Sequence, residues 1–154
     1  NKMKAARKDL AITTDVIVGY PTETEEDYLM TKETMRDIGF DNAFIFRYSK
    51  RKNTPAAEMD GQIEETVKEA RNQDLLAMVD QIATAKNDAL VGTTQEILCT
   101  GTSKNKADTL SGRTGQNKIV TFEGNAERMA GKILPVKIER STGFTLYGTP
   151  VIHQ

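Results

Sequence analysis

Cys99 is the only cysteine and His153 the only histidine among 154 residues. One thiol cannot build an internal disulfide, a multi-thiolate zinc site or a cysteine-ligated iron–sulfur cluster from this chain alone. A histidine one residue from the end supports no Ser/His/Asp or Cys/His arrangement. What remains is carboxylates, cations and aromatic rings. Asp15 sits inside a β-branched run, Ile12-Thr13-Thr14-Asp15-Val16-Ile17-Val18. A carboxylate there must be paired or line a cavity, because burying it alone is costly. Two stretches that follow β-like runs, Gly19-Tyr20-Pro21-Thr22-Glu23-Thr24 and Tyr48-Ser49-Lys50-Arg51-Lys52-Asn53-Thr54, carry glycine, rings and cations. They read either as walls of a ligand pocket or as a Gly-Tyr-Pro turn and a solvated charge run.

The cations are unevenly spread. Residues 91–154 hold eight Lys/Arg against five acids, a net +3, which leaves −4 for residues 1–90 in a chain of net charge −1. A mildly basic end permits a nucleic-acid partner without requiring one. Near that end Lys132, Lys137 and Arg140 lie close to Phe144 and Tyr147. Interleaved cations and rings on an open β face would hold phosphates and stack unpaired bases. The same two rings could instead fill a core.

These groups need elements to position them. The run 12–18 suits a strand in a parallel sheet covered by helices. Thr24 followed by Asp27 predicts a capping box, with Glu25, Glu26 and Asp27 at the positive helix end and Gly39 as C-cap. Tyr28, Met30, Thr31, Met35 and Ile38 form the apolar stripe of that helix. Ala43-Phe44-Ile45-Phe46-Arg47-Tyr48 then predicts a second strand. Strand–helix–strand is a βαβ unit with a right-handed parallel crossover. Two strands do not make a stable sheet alone, and residues 2–10 resemble the tail of another helix. This half is therefore expected to be a piece of a larger α/β domain whose beginning lies upstream. Where such domains are barrels, ligands bind at the C-terminal strand ends.

A long helix is predicted over 63–90, with Ile63, Val67 and Ala70, then Leu75, Val79 and Ile82, at helical spacing and one slip between Ala70 and Leu75. After Gly92 come five short β-rich runs, 94–100, 110–114, 118–122, 133–138 and 145–147, suggesting an OB-like barrel or small sandwich. The expected fold class is α/β plus all-β, with domains at 1–90 and 91–150. No apolar run reaches the roughly 18 residues that span a bilayer, and no signal peptide opens the chain, so a cytoplasmic protein without a membrane partner is expected.

Four phrases occur in a fixed order. The run from Asp15 to Asp27 resembles D-x-I-V-G-F-P-G-E-T-x-x-D of radical-SAM methylthiotransferases. Phe44 to Ala57 resembles their F-x-F-x-Y-S-x-R-P-G-T-P-A-A. Gly112-Arg113-Thr114, with Asn117-Lys118-Ile119-Val120 and Phe122-Glu123-Gly124, resembles the middle of their C-terminal TRAM domain, and Leu146-Tyr147-Gly148 its close. The chain is thus similar to the C-terminal part of the tRNA-modifying branch of that family: the last strands of a radical-SAM barrel, a linking helix and a TRAM β-barrel.

The resemblance implies 2-methylthio-N6-isopentenyladenosine synthase activity, the insertion of a methylthio group at C2 of a prenylated adenosine beside the anticodon. It implies S-adenosylmethionine and two [4Fe–4S] clusters as cofactors, with the cluster cysteines outside this chain, which alone would at most bind tRNA through the anticodon stem-loop. Asp15, Gly19, Tyr48 and Arg51 are the expected cofactor-side residues. Lys104, Arg113, Lys118, Lys132, Lys137 and Arg140 are expected phosphate contacts, with Phe144 and Tyr147 as stacking rings. Thr22 stands where the family usually has Gly, and Lys52-Asn53 where it has Pro-Gly; Asn53 can still take the left-handed conformation. The alternatives are a stand-alone RNA-binding module and a relative acting on a ribosomal protein.

Overall fold

The computed structural model describes residues 2–7, 9–103 and 109–151. In chain order the elements are α1 (Lys2–Ala6), β1 (Thr13–Val18), α2 (Glu25–Ile38), β2 (Asn42–Arg47), α3 (Pro55–Glu58) and α4 (Glu65–Asp88). They continue with β3 (Thr94–Thr102), β4 (Thr109–Thr114), β5 (Ile119–Glu123), α5 (Ala126–Met129), β6 (Ile133–Thr142) and β7 (Thr145–Pro150). Two compact units result, one over residues 12–82 and one over residues 83–154 together with 2–11.

In the first unit β1 and β2 pair in parallel, Asp15 opposite Phe44 and Ile17 opposite Phe46. The crossover helix α2 starts where expected: Thr24 accepts from the Asp27 amide, and the Asp27 carboxylate accepts from the Thr24 amide at 2.9 Å. Gly39 ends it in the left-handed conformation. Only one sheet face is covered. Val18, Ala43 and Ile45 pack with Tyr28 and Met35 of α2 and with Leu75 and Val79 of α4. On the other face Ile17, Phe44 and Phe46 are 58%, 57% and 53% exposed. The helices expected to cover the sheet therefore lie over one face, and of the α2 stripe Met30 stays exposed.

The slip in α4 has a physical cause. Its buried stripe runs Arg71, Asn72, Leu75, Val79, Ala83 and Asn87, so polar residues hold the inward positions of the early turns while Val67 faces out. Asn72 donates to the Ile45 carbonyl at 2.9 Å, giving that buried amide a partner on β2.

The second unit is a closed barrel in the order β3-β4-β5-β7-β6, with β5 and β7 parallel and all other pairs antiparallel. All five predicted strands are present, most of them longer than expected. Its core is Ile97, Cys99, Leu110, Val120, Phe122, Val136, Ile138 and Leu146. Alternation drives this: inward positions are mostly apolar, Thr114 of β4 being a buried polar exception, and their neighbours along the strand are more exposed. Closure leaves no unpaired edge. A Cβ at Gly148 would lie 2.2 Å from the Lys137 carbonyl oxygen, so only glycine lets β7 sit this close to β6. Cys99, as a core thiol, fills space.

Candidate functional site

At the C-terminal ends of β1 and β2 the chain turns on Gly19 and Tyr48. Gly19 has φ +73°, and a Cβ there would meet the Lys68 side chain at 2.1 Å. The glycine thus admits the stem of Lys68, whose Nζ reaches the Tyr48 carbonyl at 3.3 Å and Glu65 at 2.7 Å. The next turn carries Pro21 second and Thr22 third, with the Glu23 amide donating to the Tyr20 carbonyl at 2.9 Å. Thr22 has φ 73°, as a type II turn demands at that position. Asn53 also adopts a positive φ, 63°, as expected.

A carboxylate and a buried guanidinium fix this turn from below. Glu23 accepts from the Gly19 amide at 2.8 Å and pairs with Arg71 at 2.5 Å; Arg71 also reaches Glu25 at 2.9 Å. The Arg71 guanidinium lies 5.2 Å from the centre of the Tyr28 ring. Burial works against its charge, but hydrogen bonds to Glu25 and Glu23 outweigh that and push its pKa up. Sequence reasoning missed both Glu23 and Arg71. The slipped helical register was the one available signal that a polar group occupied the inner face.

Of the four expected cofactor-side residues, the structure brings Gly19 and Tyr48 together around Lys68, with Tyr20 against Tyr48 edge-to-face at 5.4 Å. The Tyr48 hydroxyl is buried without a hydrogen-bond partner among the described residues. Asp15 stands apart, exposed on the open sheet face opposite Phe44. Arg51 is exposed in the loop after β2, where its carbonyl accepts from the Thr54 hydroxyl at 2.8 Å.

In the barrel unit a groove of about 1260 Å³ runs across the outer faces of β3, β4, β5, β7 and β6. Arg113, Arg140 and Tyr147 line it, with the Arg140 guanidinium 3.8 Å over the centre of the Tyr147 ring. Arg113 donates to the Asn117 carbonyl at 3.0 Å. Glu123 and Glu139 also line the groove, and Thr149 donates to Glu139 at 3.2 Å. The groove's other polar groups are hydroxyls, including Thr100, Ser111 and Thr121. They too escaped notice, although Ser and Thr at alternate positions of β4 and β5 were a signal for an outward polar face.

The remaining expected RNA residues lie elsewhere. Lys118 reaches Asn87 Oδ1 at 2.6 Å, and Asn87 in turn donates to the Gly143 carbonyl, so Lys118 serves to hold the last turn of α4 on the barrel. Lys132 and Lys137 are exposed but do not line the groove. Phe144 is 59% exposed in the turn between β6 and β7. Neither Phe144 nor Tyr147 belongs to the barrel core. Lys104 lies outside the described residues. Among the described residues no helix is long and apolar enough to cross a membrane, and no three His, Cys, Asp or Glu side chains are grouped to hold a metal.

Comparison with known proteins sorts these features. The TRAM domain model matches residues 88–151. A tRNA-2-methylthio-N(6)-dimethylallyladenosine synthase of Akkermansia muciniphila is 63% identical over 150 residues, covering 97% of this chain and 32% of the relative. Proteins of the same name from Methylacidiphilum infernorum and Natranaerobius thermophilus are 47% and 45% identical, over 99% and 96% of this chain and 32% and 33% of their own lengths. The chain spans about a third of the length of the curated relatives it matches.

Proposed function

From a chain that belongs to the tRNA-2-methylthio-N(6)-dimethylallyladenosine synthase family, as the counterpart of its members' C-terminal third, we propose the C-terminal part of a tRNA methylthiotransferase. The complete protein would add a methylthio group to C2 of an N6-prenylated adenosine beside the anticodon. The observation that carries this reading is 63% identity along 97% of the chain to a protein of that name.

The geometry supports it in two ways. The parallel pair β1–β2 is covered by helices on one side and leaves Ile17, Phe44 and Phe46 open on the other. That is what the last strands of a radical-SAM barrel would look like without the strands that precede them, since barrel interiors are filled by such inward side chains. The small barrel, closed and bearing Arg113, Arg140 and Tyr147 on one outer groove, suits the RNA-holding role of a TRAM domain.

The chemistry implied is cleavage of S-adenosylmethionine at one [4Fe–4S] cluster, with a second cluster in sulfur transfer. Cys99, buried in the barrel, suits neither cluster, so their ligands would come from elsewhere in the protein. Two features of the strand-end loops support a nucleoside cofactor there. The Tyr48 hydroxyl has no hydrogen-bond partner among the described residues, and the half-exposed Tyr20 ring offers a stacking surface. Gly19 keeps the loop in place by admitting Lys68, and exposed Arg51 is suited to RNA phosphate.

The test is to incubate the full-length protein, its clusters reconstituted, with reductant, S-adenosylmethionine and tRNA carrying the prenylated adenosine. Mass analysis of the digested nucleosides should show the added methylthio mass. Modification of a ribosomal protein with the tRNA left unchanged would transfer the reading to the relative of that specificity. A full-length protein that binds tRNA and modifies nothing would leave an RNA-binding module.

A further inference from the structure

Strand register sets four outward residues side by side on four neighbouring strands. Ser111 of β4 is opposite Thr121 of β5, Thr121 is opposite Tyr147 of β7, and Tyr147 is opposite Arg140 of β6. At about 4.8 Å per strand the row is roughly 14 Å long, and all four residues line the groove. A bulge between Ile138 and Arg140 shifts β6 by one residue, which brings Arg140 rather than its neighbour opposite Tyr147. The guanidinium Cζ then lies 3.8 Å over the centre of the ring, at stacking distance.

Such a stack has a free face. A guanidinium is planar, delocalised and weakly hydrated, so a ring on one side leaves the other ready for a second flat group. With Tyr147 half-buried beneath and Arg140 exposed above, the free face is the guanidinium's. In RNA recognition unpaired bases stack on aromatic rings and on arginine planes alike. The rest of the row bears hydroxyls, which donate and accept. The charges are sided: Arg113 lies two residue pairs along the strands from the row, opposite Ile119, and Glu123 lies two pairs to the other side, opposite Thr109. A phosphate is drawn to the first side and repelled from the second.

We infer that the Arg140–Tyr147 stack is a platform for one unpaired RNA base. The neighbouring ribose lies over Thr121 and Ser111, and its phosphate is turned toward Arg113. Arg140 therefore acts through its plane, whereas an ordinary phosphate contact acts through charge alone. This rests on reading the barrel as the RNA-holding part of the protein and goes beyond it by naming the base-stacking group and the strandedness of the ligand.

The experiment titrates the full-length protein with single-stranded RNA carrying 2-aminopurine, a base whose fluorescence falls when it stacks. A blunt RNA duplex and the deoxy version of the same strand serve as comparisons. The wild type should bind the single RNA strand in preference to both and quench the probe. Arg140→Lys keeps the charge and loses the plane; it should weaken binding about tenfold or more and abolish quenching. The slope of affinity against salt should barely change. Arg128→Lys, at an exposed arginine of α5 that does not line the groove, should behave as wild type. Thermal melts of each variant show whether the barrel is intact.

Wild-type affinity and quenching in Arg140→Lys overturn the platform, as does equal affinity for duplex and single strand. A wild type that binds none of these RNAs overturns the RNA reading of the barrel and the platform with it. Single-strand binding without dependence on Arg140 overturns the platform alone.

Discussion

Thr22 shows what one side chain can cost a turn. A β-branched residue at φ 73° occupies the left-handed region, which costs an L-residue about 1–2 kcal/mol. The turn persists because its neighbours determine it: the Thr22 amide donates to Gly61 at 2.9 Å and Glu23 is held by Arg71. Thr22→Gly should therefore raise the stability of the full-length protein by up to about 1 kcal/mol, after the extra freedom of glycine in the unfolded chain is counted. Thermal unfolding reads this directly; an unchanged or lower midpoint would show the turn to be unstrained. The turn was legible in sequence through Gly-Tyr-Pro and its family counterpart. Arg71 was not, because an arginine on a helix is solvated by default and only its two carboxylate partners, 46 and 48 residues away, bring it inside. Removing one side of such a buried pair typically costs about 3–5 kcal/mol.

Among the elements, α2 was the most legible, since its start and stop are local chemistry: a threonine, an aspartate three residues on, and a terminal glycine. Strand faces were harder. Alternation separated Phe44 and Phe46 from Ala43 and Ile45 correctly, but not which set faces the helices. The smaller set does. Tyr28 and Lys32 of α2 meet Asp74 of α4, the lysine at 2.5 Å. Hydrogen bonds from Lys32 and Tyr28 hold the Asp74 carboxyl below its usual value of 3.8, while burial, and then the bond to Asp74, raise the Tyr28 phenol. A depressed carboxylate stabilises the fold above its unfolded pKa, and that contribution disappears as pH falls through the folded value. Asp74→Asn should accordingly be less stable at neutral pH and lose less on acidification below about pH 4. Unfolding midpoints across the acid range check this; parallel curves for wild type and variant would remove Asp74 from the acid response.

At the scale of the whole molecule, the two units differ in completeness. The barrel closes its own sheet, and its pattern of inward apolar residues was readable strand by strand; the groove was not, because it depends on register and a bulge that no single strand displays. The α/β unit keeps an apolar sheet face in water. If the rest of a larger barrel covers it, Phe46→Ser in the full-length protein should behave as a core deletion and cost about 3–5 kcal/mol. In the 154-residue chain alone the same change should be nearly neutral and should reduce binding of a hydrophobic dye. A neutral effect in both settings would mean that the face stays open.

The position of β7 in the ring bears on synthesis. Among the described residues it is the last strand in sequence, yet it stands between β5 and β6 and makes the barrel's one parallel pair. A chain made from its N-terminus folds earlier parts first, but here β5 must wait with one side unpaired until residues 145–150 arrive. The ring cannot close vectorially. A premature stop before Thr145 would remove the closing stave and Tyr147 together, leaving two bare sheet edges of the kind that seed aggregation. Errors late in translation would then show as misfolded chains rather than as folded barrels with a defective groove.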